Sequence, residues 1–215
     1  ATGSVNNFSK PVLDLTTKID GDLQDFEALT NDMKGMKMTG PLNVNVTIKG
    51  AADNPAYFGN FSIKNAQIDG IGLGKPISNF RISGSLQNDV AKIDECKGVI
   101  GQSDFSLTGN MSNFKKPIIK INNKSNHIDL DELFPKPEKG QKEQGKPLPL
   151  TLQGNVQINT LTGMDMEFKN INTNFNYDKG IIDLKNCSAE TFDGKVIFDL
   201  YYNFNSPEPY IITTS

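Results

Sequence analysis

Apolar and polar residues alternate with a period of two along most of this 215-residue chain. Leu42, Val44, Val46 and Ile48 alternate with Asn43, Asn45, Thr47 and Lys49. Phe80, Ile82, Gly84 and Leu86 alternate with Arg81, Ser83 and Ser85, and Phe105, Leu107, Gly109 and Met111 follow the same rule. So do Leu148, Leu150, Leu152, Gly154, Val156 and Ile158, and near the end Val196, Phe198, Leu200, Tyr202 and Phe204. A strand sends successive side chains to opposite faces, so each segment has one apolar and one polar face. The pattern predicts antiparallel strands solvated on one side. Turn-forming residues punctuate them: Asn54-Pro55, Gly84, Asn88-Asp89, Asp178-Lys179-Gly180, Asp193-Gly194 and Ser206-Pro207. Asp178–Gly180 and Asp193-Gly194 read as hairpin turns.

Two segments have helical spacing. Residues 22–34 place Leu23, Phe26 and Leu29 on one side behind an Asp. Residues 129–134 allow one turn before Pro135. The stretch 136–147 is charged, rich in Gly and Pro and free of apolar residues, so it reads as an exposed linker.

Self-comparison gives an internal repeat. At an offset of 91, Asn79 meets Asn170, Leu86 meets Tyr177, Ile93 meets Leu184, Cys96 meets Cys187 and Leu107 meets Phe198. Upstream, Gly59-Asn60-Phe61-Ser62-Ile63 meets Gly154-Asn155-Val156-Gln157-Ile158. Both copies read as a Gly-Asn strand, a loop, a strand, a hairpin, a strand ending in Cys, another strand and a Pro-led strand. A partial third copy opens the chain, since Asn7-Phe8-Ser9-Lys10-Pro11-Val12 resembles Asn113-Phe114-Lys115-Lys116-Pro117-Ile118. The expected organisation is the end of one repeat in 1–39, a full β repeat in 40–135, the linker in 136–147 and a second repeat in 148–215. In such an array each unit covers its neighbour's apolar face. The 215 residues then read as an excerpt of a longer array.

Composition narrows the function. The chain has 24 Asn, 21 Lys, eight Ala and a single Arg, Arg81, with a net charge of −3. Scarce Ala and abundant Asn, Thr and Ile favour strands and polar turns over helices. Without a basic stripe, nucleic acid is not an expected partner. No run of 18 apolar residues exists, and no signal peptide opens the sequence, so a membrane anchor or targeting segment would lie outside it. The two cysteines, Cys96 and Cys187, form no CxxC pair and read as small apolar strand residues. The lone histidine, His127, reads as a surface or turn residue. The segment 70–76 is Gly-rich without P-loop spacing and reads as a loop. Asp129, Asp131 and Glu132 lack the calcium-loop pattern and read as the acidic entry to a helical turn. No catalytic residue, metal site or cofactor is expected, and the chain does not read as an enzyme.

The second repeat carries a fuller layout. Leu152-Gln153-Gly154-Asn155-Val156-Gln157-Ile158 is followed by Gly163-Met164-Asp165-Met166, Phe168-Lys169-Asn170-Ile171 and a strand ending at Asp178-Lys179-Gly180. Ile181 to Ala189, Phe192-Asp193-Gly194-Lys195-Val196 and Ser206-Pro207-Glu208-Pro209 complete it. This is similar to the C-terminal region of AsmA-like proteins, a family that includes TamB-type members. The first repeat's ending, His127-Ile128-Asp129-Leu130-Asp131-Glu132-Leu133-Phe134-Pro135, resembles the family's corresponding ending. It departs from the family where a Gly-Gly pair is Gly194-Lys195 here and Gln102-Ser103 in the first copy. The resemblance implies an envelope protein on the periplasmic side of a bacterial inner membrane, anchored by a helix outside this segment. It implies a mainly β fold: an extended, curved antiparallel sheet of two repeats, a groove or half-open barrel, with one or two short helices. It also implies a non-enzymatic role in phospholipid transport or outer-membrane assembly, with a phospholipid or other acyl-chain ligand and other envelope proteins as partners.

Such a conduit needs an apolar lining, since each buried methylene contributes about 0.8 kcal/mol. The candidate lining is Val44, Val46 and Ile48, then Phe61 and Ile63, then Phe80, Ile82 and Leu86, then Phe105 and Leu107. The second repeat adds Val156 and Ile158, Phe175 and Tyr177, and Val196, Phe198 and Leu200. The competing expectations are that this face is an ordinary core covered by residues 22–34 or a second sheet, or that the chain is a repetitive β scaffold binding a protein or glycan. An enzyme built on a β-helix or sandwich is a third.

Overall fold

The alternating segments become strands. In a computed structural model of the chain, the described residues are 1–26, 35–71, 73–114, 116–133, 150–163, 165–192, 194–203, 206 and 210–214. In chain order they form β1 (Thr2–Asn6), β2 (Val12–Asp22), a 3-10 turn (Leu23–Phe26), β3 (Lys37–Thr39), β4 (Pro41–Ala51), β5 (Ala56–Asp69) and β6 (Ile77–Asn88). There follow β7 (Val90–Ile100), β8 (Ser103–Ser112), β9 (Ile118–Asp129), α1 (Leu130–Leu133) and β10 (Thr151–Gly163). The chain closes with β11 (Met166–Asp178), β12 (Ile181–Thr191), β13 (Gly194–Asn203) and β14 (Tyr210–Thr214).

All fourteen strands belong to one sheet, mainly in sequence order, with β3 pairing β5 off the main path. The sheet is open, and β1 and β14 are its edges. Neighbours are antiparallel with one exception, which corrects the expectation of an antiparallel sheet throughout: β9 and β10 run parallel, from Ile118 opposite Thr151 to Asp129 opposite Thr162. The cause is topological. β2 leads through the 3-10 turn to β4, which returns antiparallel before β5. After β9, no described strand stands in the place of β4, so β10 lies directly on β9 in the direction β5 holds relative to β2.

The helical readings fare differently. In its described part the expected helix at 22–34 is only the four-residue 3-10 turn. Asp22 does open it, its Oδ1 accepting from the N–H of Gln24 and of Gly40. Residues 27–34 lie outside the described residues, as do the expected linker at 136–147, Asp193, Phe204 and Pro207. α1 is the single turn expected, capped by Asp129 Oδ1, which accepts from the N–H of Asp131 and Glu132 at 3.0 and 3.1 Å.

Asparagine does more than fill turns. Asn65, Asn79, Asn170 and Asn186 adopt φ of 49–53° inside or beside strands. The pairing register slips at these places. Left-handed backbone costs most L-residues about 1–2 kcal/mol, and Asn tolerates it best after Gly. Each bulge adds one residue, so the next apolar side chain returns to the same face; Ile63 and Ala66 flank one such slip. The hairpin at Lys179-Gly180 has positive φ at both central residues, as a type I′ turn demands. Asn88-Asp89 also turns a hairpin, between Gln87 and Val90. Gly84 does not turn: it sits inside β6, opposite Phe61. Cys96 and Cys187 lie within β7 and β12 rather than at their ends.

Candidate functional site

Directly paired residues project from the same side of a sheet, so the register decides which side chains share a face. One row of pairs runs Val46–Gly59–Leu86–Ala91–Met111–Ile119–Leu152–Tyr177–Ile182–Tyr202. The next runs Val44–Phe61–Gly84–Ile93–Gly109–Ile121–Gly154–Phe175–Leu184–Leu200–Ile212. A third runs Ile63–Ile82–Cys96–Leu107–Asn123–Val156–Thr173. The remaining candidates, Ile48, Phe80, Phe105, Ile158, Val196 and Phe198, join this face by alternation within their strands. All seventeen therefore fall on one side. With strands about 4.8 Å apart, a face crossing this many strands extends on the order of 60 Å along the sheet. Ile93, Met111, Ile119, Ile121, Leu152 and Leu184 share it and are missing from the sequence-based set. The adjacent pair Ile118-Ile119 hides the phase of β9.

None of the seventeen is buried: Val196 is 39% exposed and the rest are half-buried. Only ten apolar residues are buried among those described, and five of them are Ala or Cys. A two-layer domain would enclose many of its large side chains. Among the described residues, strands make their main contacts with sheet neighbours, and no second layer lies on the apolar face. One end differs. Leu23, Met38 and Ala66 form a small buried cluster, and Ile63 and Phe80 pack against it. At those two positions the face is partly covered.

Three candidate rings lie opposite glycine: Phe61 faces Gly84, Phe105 faces Gly98 and Phe175 faces Gly154. A Cβ on Gly84 would come within 2.7 Å of Phe61 Cζ, and one on Gly98 within 2.7 Å of Phe105 Cζ. The rings of Phe61 and Phe105 thus cover bare backbone. Polar residues interrupt the face at β9–β11. Ser125 and Thr173 are buried there, and Asn123 Oδ1 is buried with no hydrogen-bond partner among the described residues. Near the turn end of β8, the rings of Tyr57 and Phe114 meet edge-on at 5.6 Å, although β5 and β8 are three places apart in the sheet.

The opposite face is polar. Asn155 Nδ2 donates to Asn172 Oδ1 at 2.9 Å, and Glu95 pairs with Lys97 at 2.8 Å and Arg81 at 3.3 Å. The Lys97 hydrogen bond, then the charges of Lys97 and Arg81, hold the Glu95 carboxyl below its ordinary value. A hollow of about 660 Å³ opens on this polar side, lined by Ser85, Lys92, Asp94, Thr108, Asn110 and Asn122 among others. It does not coincide with the candidate lining.

The residues with potential chemistry stand apart. Cys96 and Cys187 are free and buried. Burial, with some help from Glu95, pushes the Cys96 thiol up to about 11, and burial also raises Cys187. Their strands are five places apart, about 24 Å along the sheet, too far for a disulfide. His127 corrects the turn reading: it is a half-buried residue of β9, with Nδ1 3.2 Å from Gln102 O and Nε2 3.0 Å from Thr162 Oγ1. Glu132 Oε2 accepts from the Gln102 N–H at 2.6 Å, tying α1 to the β7–β8 turn. Among the described residues no group of three potential metal ligands gathers.

Compared with protein-family models, curated proteins and solved structures, the chain matches none.

Proposed function

We propose that this chain is a non-enzymatic, AsmA-like module of the bacterial cell envelope whose apolar sheet face holds the acyl chains of phospholipid. The carrying observation is that all seventeen candidate positions lie on one side of the sheet and that none of them is buried. Over most of its length no described residue covers this apolar face, and an occupant would shelter side chains that the single layer leaves half hydrated. A fluid acyl chain suits a surface of mixed large side chains and glycine, which offers contact without directional bonds. The meeting of Tyr57 and Phe114 supports a sheet bent towards this face. Three strand spacings amount to about 14 Å, more than two rings lying flat on a plane sheet would bridge. A repeating unit is supported by Asn79 and Asn170, which are 91 positions apart and both left-handed, and by Cys96 and Cys187, both buried in mid-strand. The site is the periplasmic side of the inner membrane, with contribution to lipid transport or outer-membrane assembly.

The test is extraction and mass spectrometry of lipid from protein purified out of a bacterial host. Val156→Lys, on the apolar face, is expected to lower bound phospholipid several-fold, and Gln157→Lys, on the polar face, to leave it unchanged. Absence of copurifying lipid from the parent, or equal retention in both variants, would sink the reading.

A further inference from the structure

The hollow of about 660 Å³ on the polar side lies across four interior strands, β6 to β9. It sits at an irregularity of β7. The register with β6 changes between Ser83 and Gly84, the register with β8 changes between Ile93 and Cys96, and Asp94 stands at both changes. An extra residue in a strand bends it and sharpens its local twist. The polar side chains around this bend are free. Those of Ser85, Gln87, Asn88, Thr108, Asn110 and Asn122 make no hydrogen bond to any described residue. Elsewhere on the same face such side chains pair across strands: Asn155 with Asn172 at 2.9 Å, Thr16 with Thr47 at 3.1 Å and Asn159 with Asn126 at 3.3 Å. The hollow also has no net charge. Its charged residues are Lys92 and Asp94, and they pair with each other at 2.6 Å. Val90, 37% exposed, and the half-buried Ile93 add apolar surface.

We propose that this hollow binds a neutral carbohydrate of one or two sugar rings. The match is one of hydrogen-bonding type. A side-chain amide offers donors and an acceptor together, and a hydroxyl does the same. Each sugar hydroxyl also donates and accepts, so it pairs with such groups without needing charge. Val90 and Ile93 offer apolar surface to the C–H side of a ring. An anionic ligand is a poorer fit, because the lining's one cation, Lys92, is already committed to Asp94. A peptide adding as a strand is a poorer fit too. It needs an open sheet edge, and β6 to β9 each have a paired strand on both sides. The volume falls in the range of about 300–1,000 Å³ that holds small ligands. Five of the six free side chains are exposed, so water competes for them and the affinity is of roughly millimolar order. The hollow and the acyl-chain face lie on opposite sides of the sheet, and neither reading rests on the other.

Saturation-transfer NMR on the full chain tests this. The probes are glucose, galactose, N-acetylglucosamine, maltose, lactose and diacetylchitobiose, with glucose 6-phosphate as the anionic counterpart of glucose. At least one neutral sugar is expected to give a signal that saturates with concentration. Thr108→Val keeps the side chain's shape and removes its hydroxyl, and Asn110→Ala removes an amide. Each is expected to weaken that sugar about fivefold, the effect of one net hydrogen bond, with the melting temperature unchanged because both side chains are exposed. Asn45→Ala, on the same face outside the hollow, is expected to leave binding as it was. No saturable signal from any of the neutral sugars overturns the proposal. So does binding that neither Thr108→Val nor Asn110→Ala weakens, which places the sugar elsewhere, or tighter binding of glucose 6-phosphate than of any neutral probe, which marks an anion site.

Discussion

Gly154→Ala probes the one parallel contact of the sheet. Gly154 lies in β10 between Ile121 of β9 and Phe175 of β11. An added Cβ would stand 1.7 Å from Ile121 O and 2.8 Å from Ile121 C, both backbone atoms that no rotamer change can move. Reaching even 3.0 Å requires the two backbones to part by about 1.3 Å. That displacement takes a 2.9 Å hydrogen bond beyond bonding distance. One or two lost ladder bonds at about 1 kcal/mol each, with strain of about 1–3 kcal/mol for overpacking, give a loss on the order of 3 kcal/mol. For a chain of this size that corresponds to a fall of about 6–12 °C in melting temperature. Gly194→Ala is the control. Only Thr191 O approaches its Cβ, at 3.9 Å, so a change within about 0.5 kcal/mol is expected. Thermal unfolding followed by circular dichroism compares the two. If Gly154→Ala melts as Gly194→Ala does, β9 and β10 do not approach at Gly154 and the account of the junction is wrong.

Three further outcomes follow from other features. Asn79→Val is expected to cost about 1–2 kcal/mol more than Asn79→Gly, since φ at this position is 50° and Gly accepts it freely; equal denaturation midpoints would remove the bulge argument. Native Cys96 and Cys187 are expected to resist alkylation at pH 8 and to react on unfolding, because burial holds both thiols protonated; fast native labelling would contradict their placement. Asp199 accepts from the Asn186 N–H at 2.8 Å and from Lys185 at 3.1 Å, the first being the larger cause of its lowered pKa. A lowered folded pKa gives stability that is present above the ordinary carboxylate value near 3.8 and lost as pH falls through the folded value. Asp199→Asn is therefore expected to weaken the acid dependence of unfolding below about pH 4, and an unchanged dependence would count against this contact.

Much of the sheet was legible because one-sided burial and period-two spacing are the same fact seen twice. Val44, Val46 and Ile48, or Val196, Phe198 and Leu200, declare their face without any partner. The parallel β9–β10 pair was not legible, since pairing direction depends on where the chain re-enters, not on local pattern. Asn79 and Asn170 match across the offset of 91, but their left-handed backbone, which resets the alternation, has no signature separable from a turn asparagine. Gly84 reads as a turn residue for the same reason, because a glycine beneath a ring and a glycine in a turn look alike in sequence and only the strand pairing sets Phe61 opposite. Cover over the face was invisible as well. Ile63 and Phe80 follow the same pattern as Val46 and Leu107, yet only the first two meet Leu23, Met38 and Ala66.

The central claim is that one face of this sheet carries acyl chains. Photo-reactive residues placed one at a time at Val46, Leu107, Val156 and Phe198, and at Asn45, Thr108 and Gln157 on the opposite face, test it in a bacterial host by mass spectrometry of the adducts. The account predicts phospholipid adducts at the first four positions and none at the other three. Adducts to protein alone at the first four, or lipid adducts spread equally over both faces, would contradict it.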